Sequence, residues 1–514
     1  MTPSRSLRPR SLAHLVLGLC VALCALPAWS AQRFGFDDVA ARARSLADVT
    51  FSPQPSDISK ELLDLDYDQY RDIRFKPDQA VWRDAKLPFE LAFFHPGFRY
   101  ERSVRIHEIT PAGVKDVPFS RDFFDYGKNQ LPPAKTRANG YAGFRVHYAI
   151  NNPKYKDEVL VFLGASYFRA LGRNQGYGIS ARGLAVDTAL ASGEEFPSFT
   201  EFWIERPEPN ATQLTIYAML DSRRVTGAYR FVVKPGIETA IEVKARIFLR
   251  NEVTKLGLAP LTTMYLFGEN QPQATTTDYR PEVHDSDGLS IQAGTGEWIW
   301  RPLVNPKRLL VSSFLLANPG GFGLQQRDRR FSHYEDLEAR YDKRPGVWVQ
   351  PTGNWGAGRV ELVQIPTPDE TNDNIVAYWV PEKLPAPKQP LDLEYRLLWQ
   401  METSTRPPQG WVVQTRRGHG YRKQADDSLD FVVDFEGPAF EKLAPEITID
   451  PVVTGQNVEI RETIAHPNVA TGGYRLSIRL KRLDESKPVE LRGFLRGPSG
   501  ETLTETWSYL LPPN

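Results

Sequence analysis

The chain has 514 residues, with 63 basic and 63 acidic side chains and no formal net charge. That balance excludes a strongly basic nucleic-acid surface. The length is enough for two or more domains with sizeable cores.

The first predicted element is an export signal over residues 1–31. Arg5, Arg8 and Arg10 form a basic start without acids, and an apolar run follows from Leu12 to Leu26. Pro27-Ala28-Trp29-Ser30-Ala31 then supplies small residues for cleavage after Ser30 or Ala31. The apolar run is shorter than the ~20 residues a membrane helix needs, and the arginines are not adjacent, so a twin-arginine signal is not expected. Removing the signal with its three arginines leaves 60 basic against 63 acidic side chains. It also removes Cys20 and Cys24, the only cysteines, so the mature chain is expected to have no disulfide and no thiolate metal site.

Short amphipathic spacing predicts helix over Asp37–Leu46 and Ser59–Ile73. After that, alternation dominates. Ile237, Ile241, Val243, Ala245, Ile247 and Leu249 share one parity and Glu238, Glu242, Lys244, Arg246 and Arg250 the other, the pattern of a half-buried antiparallel strand. Leu214–Leu220 and Ala228–Val233 read as a strand pair joined through residues 221–227. Further strands are predicted at 144–150, 159–163, 309–317, 359–365, 375–380 and 391–400. Runs of this kind without a βαβ rhythm predict an all-β protein. Residues 32–400 are expected to form a large N-terminal β-sandwich, and Met401–Gly410, with two prolines and no apolar periodicity, the linker. Trp411–Asn514 carries about seven short strands and suits a small immunoglobulin-like β-sandwich, although the cysteine pair of antibody domains is absent.

The chemistry concentrates in two acidic stretches, Tyr279–Gly288 leading into Glu297-Trp-Ile-Trp-Arg-Pro302, and Ile365–Asn374 leading into Ile375-Val-Ala-Tyr-Trp379. They offer eight candidate carboxylates: Asp278, Glu282, Asp285, Asp287, Glu297, Asp369, Glu370 and Asp373. A loop aspartate is more often a turn-former than a catalyst, but two carboxylates held apart on a rigid β scaffold are what cleaving a sugar–sugar bond requires. Six of the 11 tryptophans (Trp298, Trp300, Trp348, Trp355, Trp379, Trp399) lie near or between the stretches. Indole faces stack on pyranose rings, while a core role is expected for at least half of them. Trp298 and Trp300 share parity and face one side of their strand.

The segment from Phe322 to Tyr341, which includes Tyr334, mixes arginines, acids and aromatics. It reads either as a loop over a polar groove or as a solvated, salt-bridged connection. Arg169 and Arg182, in two polar-aromatic stretches, either hold sugar hydroxyls or bridge acids. No two of the histidines stand at ligand spacing, so no metal site is expected. Asp285-Ser-Asp287-Gly288 resembles the start of a calcium loop without its downstream bidentate glutamate. No phosphate loop, dinucleotide fingerprint or nucleophile elbow is present, and no cofactor is expected.

Several longer motifs carry a family resemblance. They are Leu163-Gly-Ala-Ser-Tyr-Phe-Arg169, Ser180-Ala-Arg-Gly-Leu-Ala185, Ser192-Gly-Glu-Glu-Phe-Pro197, Phe202-Trp-Ile-Glu-Arg-Pro207, Tyr279-Arg-Pro-Glu282, Gly296-Glu-Trp-Ile-Trp-Arg-Pro302, Asp369-Glu-Thr-Asn-Asp-Asn374 and Glu505-Thr-Trp-Ser-Tyr509. Through them the whole mature chain resembles the periplasmic glucans biosynthesis protein G/D family, the G type more than the D type because the export signal is an ordinary one. The resemblance implies a large mutarotase-like β-sandwich with a small immunoglobulin-like domain, a periplasmic location, and work on osmoregulated periplasmic glucans with a β-1,2-linked glucose backbone. It implies an inverting endo-hydrolase with Asp373 as general acid and Asp285 as general base. Asp369, Glu370, Trp298, Trp300, Arg169, Arg182 and Tyr334 are then expected to line the substrate. Inversion calls for carboxyl groups about 6.5–9.5 Å apart, or more with a water relay. Two other roles stay open: a non-catalytic glucan-binding or assembly factor beside a membrane glucosyltransferase, and a branching transferase.

Overall fold

Alternation along the chain is realised as strands. In this computed structural model, residues 1–2, 34–53, 56–271, 273, 277–401, 405–421, 423, 426–441, 443 and 447–513 are described. Residues 3–31 of the expected export signal, with Cys20 and Cys24, lie outside them, as do residues 402–404 of the expected linker. Residues from Gly35 onward make one compact unit.

The all-β class holds. Strand Thr239–Leu249 buries alternate residues from Thr239 to Ile247, as its parity predicts. Helix Phe36–Ala47 matches the first helical prediction. The second breaks into Lys60–Leu63 and Tyr67–Arg71. The break follows from Asp66, whose carboxylate accepts from the Gln69 N–H at 2.8 Å and starts a new helix. The hairpin of Leu214–Asp221 with Val225–Lys234 turns more tightly than residues 221–227 suggest, because Thr226 already pairs with Asp221.

Two large sheets carry the architecture. One has ten strands, running in order 90–94, 143–152, 155–163, 167–170, 180–182, 256–263, 375–381, 358–364 and 310–316, with 184–186 added on 256–263. The other has fourteen. It begins with 450–456, 489–496 and 506–511, continues through 298–302, 288–293, 319–325, 346–352 and 390–400, and ends through 239–249, 225–234, 214–221, 198–205, 105–110 and 113–116. Rings from the two sheets meet: Phe162 lies 5.2 Å from both Phe202 and Phe231, and Phe168 lies 5.2 Å from Phe231. Such contacts each add about 0.5–1.5 kcal/mol beyond burial.

Beyond the expected linker the described residues hold seven strands. Four form their own sheet, in the order 411–418, 429–436, 473–482, 458–468. The other three extend the fourteen-stranded sheet through parallel pairing of Ile299 with Thr506 and Trp300 with Trp507. Phe431, Val433, Leu476 and Ile478 of the small sheet share a core with Leu491, Trp507 and Tyr509 of the large one, and with Trp300. No helix among the described residues is long and apolar enough to cross a membrane.

Candidate functional site

Asp285 follows the two-residue strand Val283–His284, which pairs with Tyr265–Phe267. Its N–H donates to the Met264 carbonyl at 2.9 Å. Asp373 lies in the loop between strands Gly358–Gln364 and Ile375–Pro381. The next residue fixes that loop. Asn374 is buried, and its Nδ2 donates to the Tyr265 and Ile365 carbonyls, both at 3.0 Å, while its Oδ1 accepts from the Tyr265 N–H at 2.9 Å. Both aspartates are therefore referenced to the same stretch of backbone, Met264–Tyr265.

Two arginines balance them. Arg344 donates to Asp285 Oδ1 and lies over the Tyr341 ring at 4.3 Å. Arg169 is oriented by Ser180, to whose Oγ its Nε donates at 2.8 Å, and its Nη2 stands 4.0 Å from Asp373. Asp285 is only 4% exposed, and burial pushes its pKa up to about 6, with Arg344 opposing and the Asp373 charge adding to the rise. The Asp373 side chain keeps 34% of its surface open. Its pKa is also raised, by desolvation, which Arg169 and Arg344 oppose. The two carboxylates thus sit in one electrostatic field, one covered and one open.

Arg280 ties the surrounding loops together. It pairs with Asp278 at 2.7 Å, Asp336 at 2.9 Å and Glu370 at 2.7 Å. Glu370 also accepts from the Tyr341 hydroxyl at 3.1 Å. Asp369 is a turn-former: its Oδ1 accepts from the Thr371 N–H and Oγ1 at 2.9 and 2.6 Å, and these bonds hold its pKa below the usual range.

The structure brings together Asp285, Asp373, Arg169 and Glu370, and sets other expected substrate contacts apart. Trp298 and Trp300 are 8% and 3% exposed. Trp298 stacks on Trp348 at 5.4 Å, and Arg327 covers Trp300 at 3.7 Å. Both indoles therefore sit in the interior rather than on the surface. Tyr334 is wholly buried, edge-on to His284 at 5.3 Å. Arg182 is buried and paired with Glu194, with its guanidinium against Tyr167. Sequence reading missed Arg344, Tyr341 and Asn374 as parts of this site. The Asn after Asp373 was visible, but its clamp depends on Tyr265, 109 residues away.

A second acidic group lies on the other side of residues 282–287. His284 bonds Glu282 at 2.8 Å and Gln326 at 2.9 Å. Glu282, His284, Asp287 and Asp328 line a cavity of about 20 Å³ with Glu269, Trp300 and Thr415. Glu282, Asp328 and His333 bring ligand atoms within 4.8 Å of one another, a set able to hold a cation that histidine spacing did not reveal. In the structure these groups are engaged with each other, Glu282 with His284 and Asp328 with His333.

The profile of the family described as periplasmic glucan biosynthesis protein, MdoG, matches residues 34–511. A protein named Glucans biosynthesis protein G from Ralstonia nicotianae is 61% identical over 503 residues, spanning 96% of this chain and 99% of that one. One of the same name from Pseudomonas aeruginosa is 51% identical over 501 residues, spanning 96% and 95%. Another from Serratia proteamaculans is 49% identical over 520 residues, spanning 99% of both.

Proposed function

The chain belongs to the periplasmic glucan biosynthesis protein family, and from that premise we propose that it acts in the periplasm on β-1,2-linked glucan by inverting endo-hydrolysis. The observation that carries this reading is the pairing of Asp285 and Asp373, each with a raised pKa and each beside its own arginine. Asp373, protonated, donates to the leaving glycosidic oxygen as the C–O bond breaks. A sugar covering its open side removes water and raises its pKa further, which is what a general acid needs. Asp285, ionised, takes the proton of the water that attacks the anomeric carbon. A base with a pKa near 6 is ionised at neutral pH and still able to accept a proton.

Asp285 is covered, so the proton travels to it through a relay rather than by direct contact with the attacking water. Tyr341 borders that region, its ring under Arg344 and its hydroxyl donating to Glu370. Arg344, bonded to Asp285, favours the ionised base, against the Asp373 charge that raises its pKa.

The test is incubation of purified protein with linear β-1,2-glucan, following new reducing ends and the anomer first released. Inversion releases the α-anomer from a β-link. Asp373→Asn and Asp285→Asn lower product about 10²–10⁴-fold while glucan still binds. Equal product from wild type and both variants overturns the assignment. Tight glucan binding without any turnover by the wild type replaces it with the role of an assembly factor beside a membrane glucosyltransferase.

A further inference from the structure

A cavity of about 560 Å³ opens among residues 192–198, the turn at Ser222–Arg224 and Arg102. That volume is within the ~300–1,000 Å³ of small-molecule sites, and neither Asp285 nor Asp373 lines it. Its four carboxylates are already satisfied. Asp187 Oδ2 accepts from Arg224 Nη1 at 2.5 Å, and Glu195 from Arg224 Nε at 2.8 Å. Glu194 accepts from Arg182 and from Thr188 Oγ1 at 2.8 Å, and Asp221 from Arg250 at 2.7 Å. Three arginines thus neutralise the acids. Two more lining residues, Arg102 and Arg223, are exposed and make no ion pair or hydrogen bond among the described residues. Beside them Phe196 keeps 50% of its surface open, with the Arg182 guanidinium 5.3 Å from its ring.

Leftover arginines recognise an anionic group, and an open aromatic face held by a cation suits the apolar face of a sugar ring. We infer that this cavity is a second saccharide site, apart from the Asp285–Asp373 cleft, and that it takes a sugar bearing a phosphate or carboxylate. Arg102 and Arg223 hold the anion, and Phe196 stacks on the ring.

Calorimetric titration of the purified protein with glucose 6-phosphate, glucose and inorganic phosphate tests this without requiring glucan hydrolysis, so it fails or succeeds independently of the cleft's assignment. Glucose 6-phosphate is expected to bind at least about tenfold tighter than either glucose or phosphate alone. Arg102→Gln and Arg223→Gln each weaken it about tenfold, a loss of about 1.4 kcal/mol. Both are exposed, so unchanged thermal unfolding separates lost binding from lost fold. Phe196→Ala weakens glucose 6-phosphate but not the residual affinity for phosphate, and Asp373→Asn changes neither. The inference is overturned if glucose 6-phosphate does not bind or binds no better than phosphate. It is equally overturned if Asp373→Asn, rather than the arginine variants, removes binding.

Discussion

Residues 282–287 deliver carboxylates into two unlike surroundings. On one side Asp285 joins Asp373, Arg169 and Arg344 in a cleft where one acid is open to solvent. On the other, Glu282 and Asp287 close with His284, Asp328 and Glu269 around a cavity that holds about one water. Burial raises pKa on both sides, Asp285 to about 6 and Glu269 to about 9. A raised pKa by itself therefore does not single out a catalytic acid. What separates the two regions is access: the Asp373 side chain keeps a third of its surface open to solvent. The sealed group spends its acids on internal bonds, such as Glu282 to His284 and Glu269 to the Thr415 N–H at 2.6 Å.

The comparison breaks most sharply at the cleft acids. Asp373→Asn and Asp285→Asn are each expected to cost about 10²–10⁴-fold in hydrolysis rate, measured as reducing ends from β-1,2-glucan. In the wild type the acid limb of kcat/KM should bend near pH 6, since below its pKa Asp285 is protonated and cannot accept a proton. A limb that stays flat down to pH 4 removes Asp285 from that role.

Asn374→Ala comes next. It releases the Asp373 loop from Tyr265 without touching either carboxylate, and should lower kcat about 10²-fold with KM little changed. Unaltered kcat in folded protein would show that the clamp does not position the acid.

Within the sealed group, Glu269→Gln should leave turnover intact and alter stability with pH. The folded state holds the Glu269 proton up to about pH 9, whereas the unfolded state releases it near 4.5. Between those values the unfolded state binds fewer protons, so wild-type stability falls as pH rises. Melting curves from pH 5 to 9 should show the variant losing less than the wild type. Equal slopes would mean that Glu269 ionises freely. The smallest effect is expected at Asp369→Asn, which keeps an acceptor for Thr371 on an exposed turn: stability within about 0.5 kcal/mol and unchanged activity. A large loss of activity there would move Asp369 into the cleft machinery.

Much of the fold was legible because strands announce themselves locally. The parity of Ile237 to Leu249 is a property of neighbouring residues, and the strand follows it from Thr239 on, leaving Ile237 half exposed before its start. Tryptophans were less legible. Trp298 and Trp300 share parity in any strand, but whether that side meets sugar or core depends on their sheet neighbours, here Gln292 and Ser290 on one side and, for Trp300, Trp507 on the other. The burial of Arg182 and Tyr334 was illegible for the same reason, since their partners Glu194 and His284 sit on other elements.

By itself the sequence determined the β class, most strand positions, and a short list of eight acids, because period-two patterning and loop composition are written between near neighbours. Resemblance then narrowed the acids to Asp285 and Asp373. Only the tertiary structure decided which acids meet arginines and which are sealed away. Arg169, Asp285, Arg344 and Asp373 come from separate segments, and charge balance and solvent access arise only where those segments are brought together.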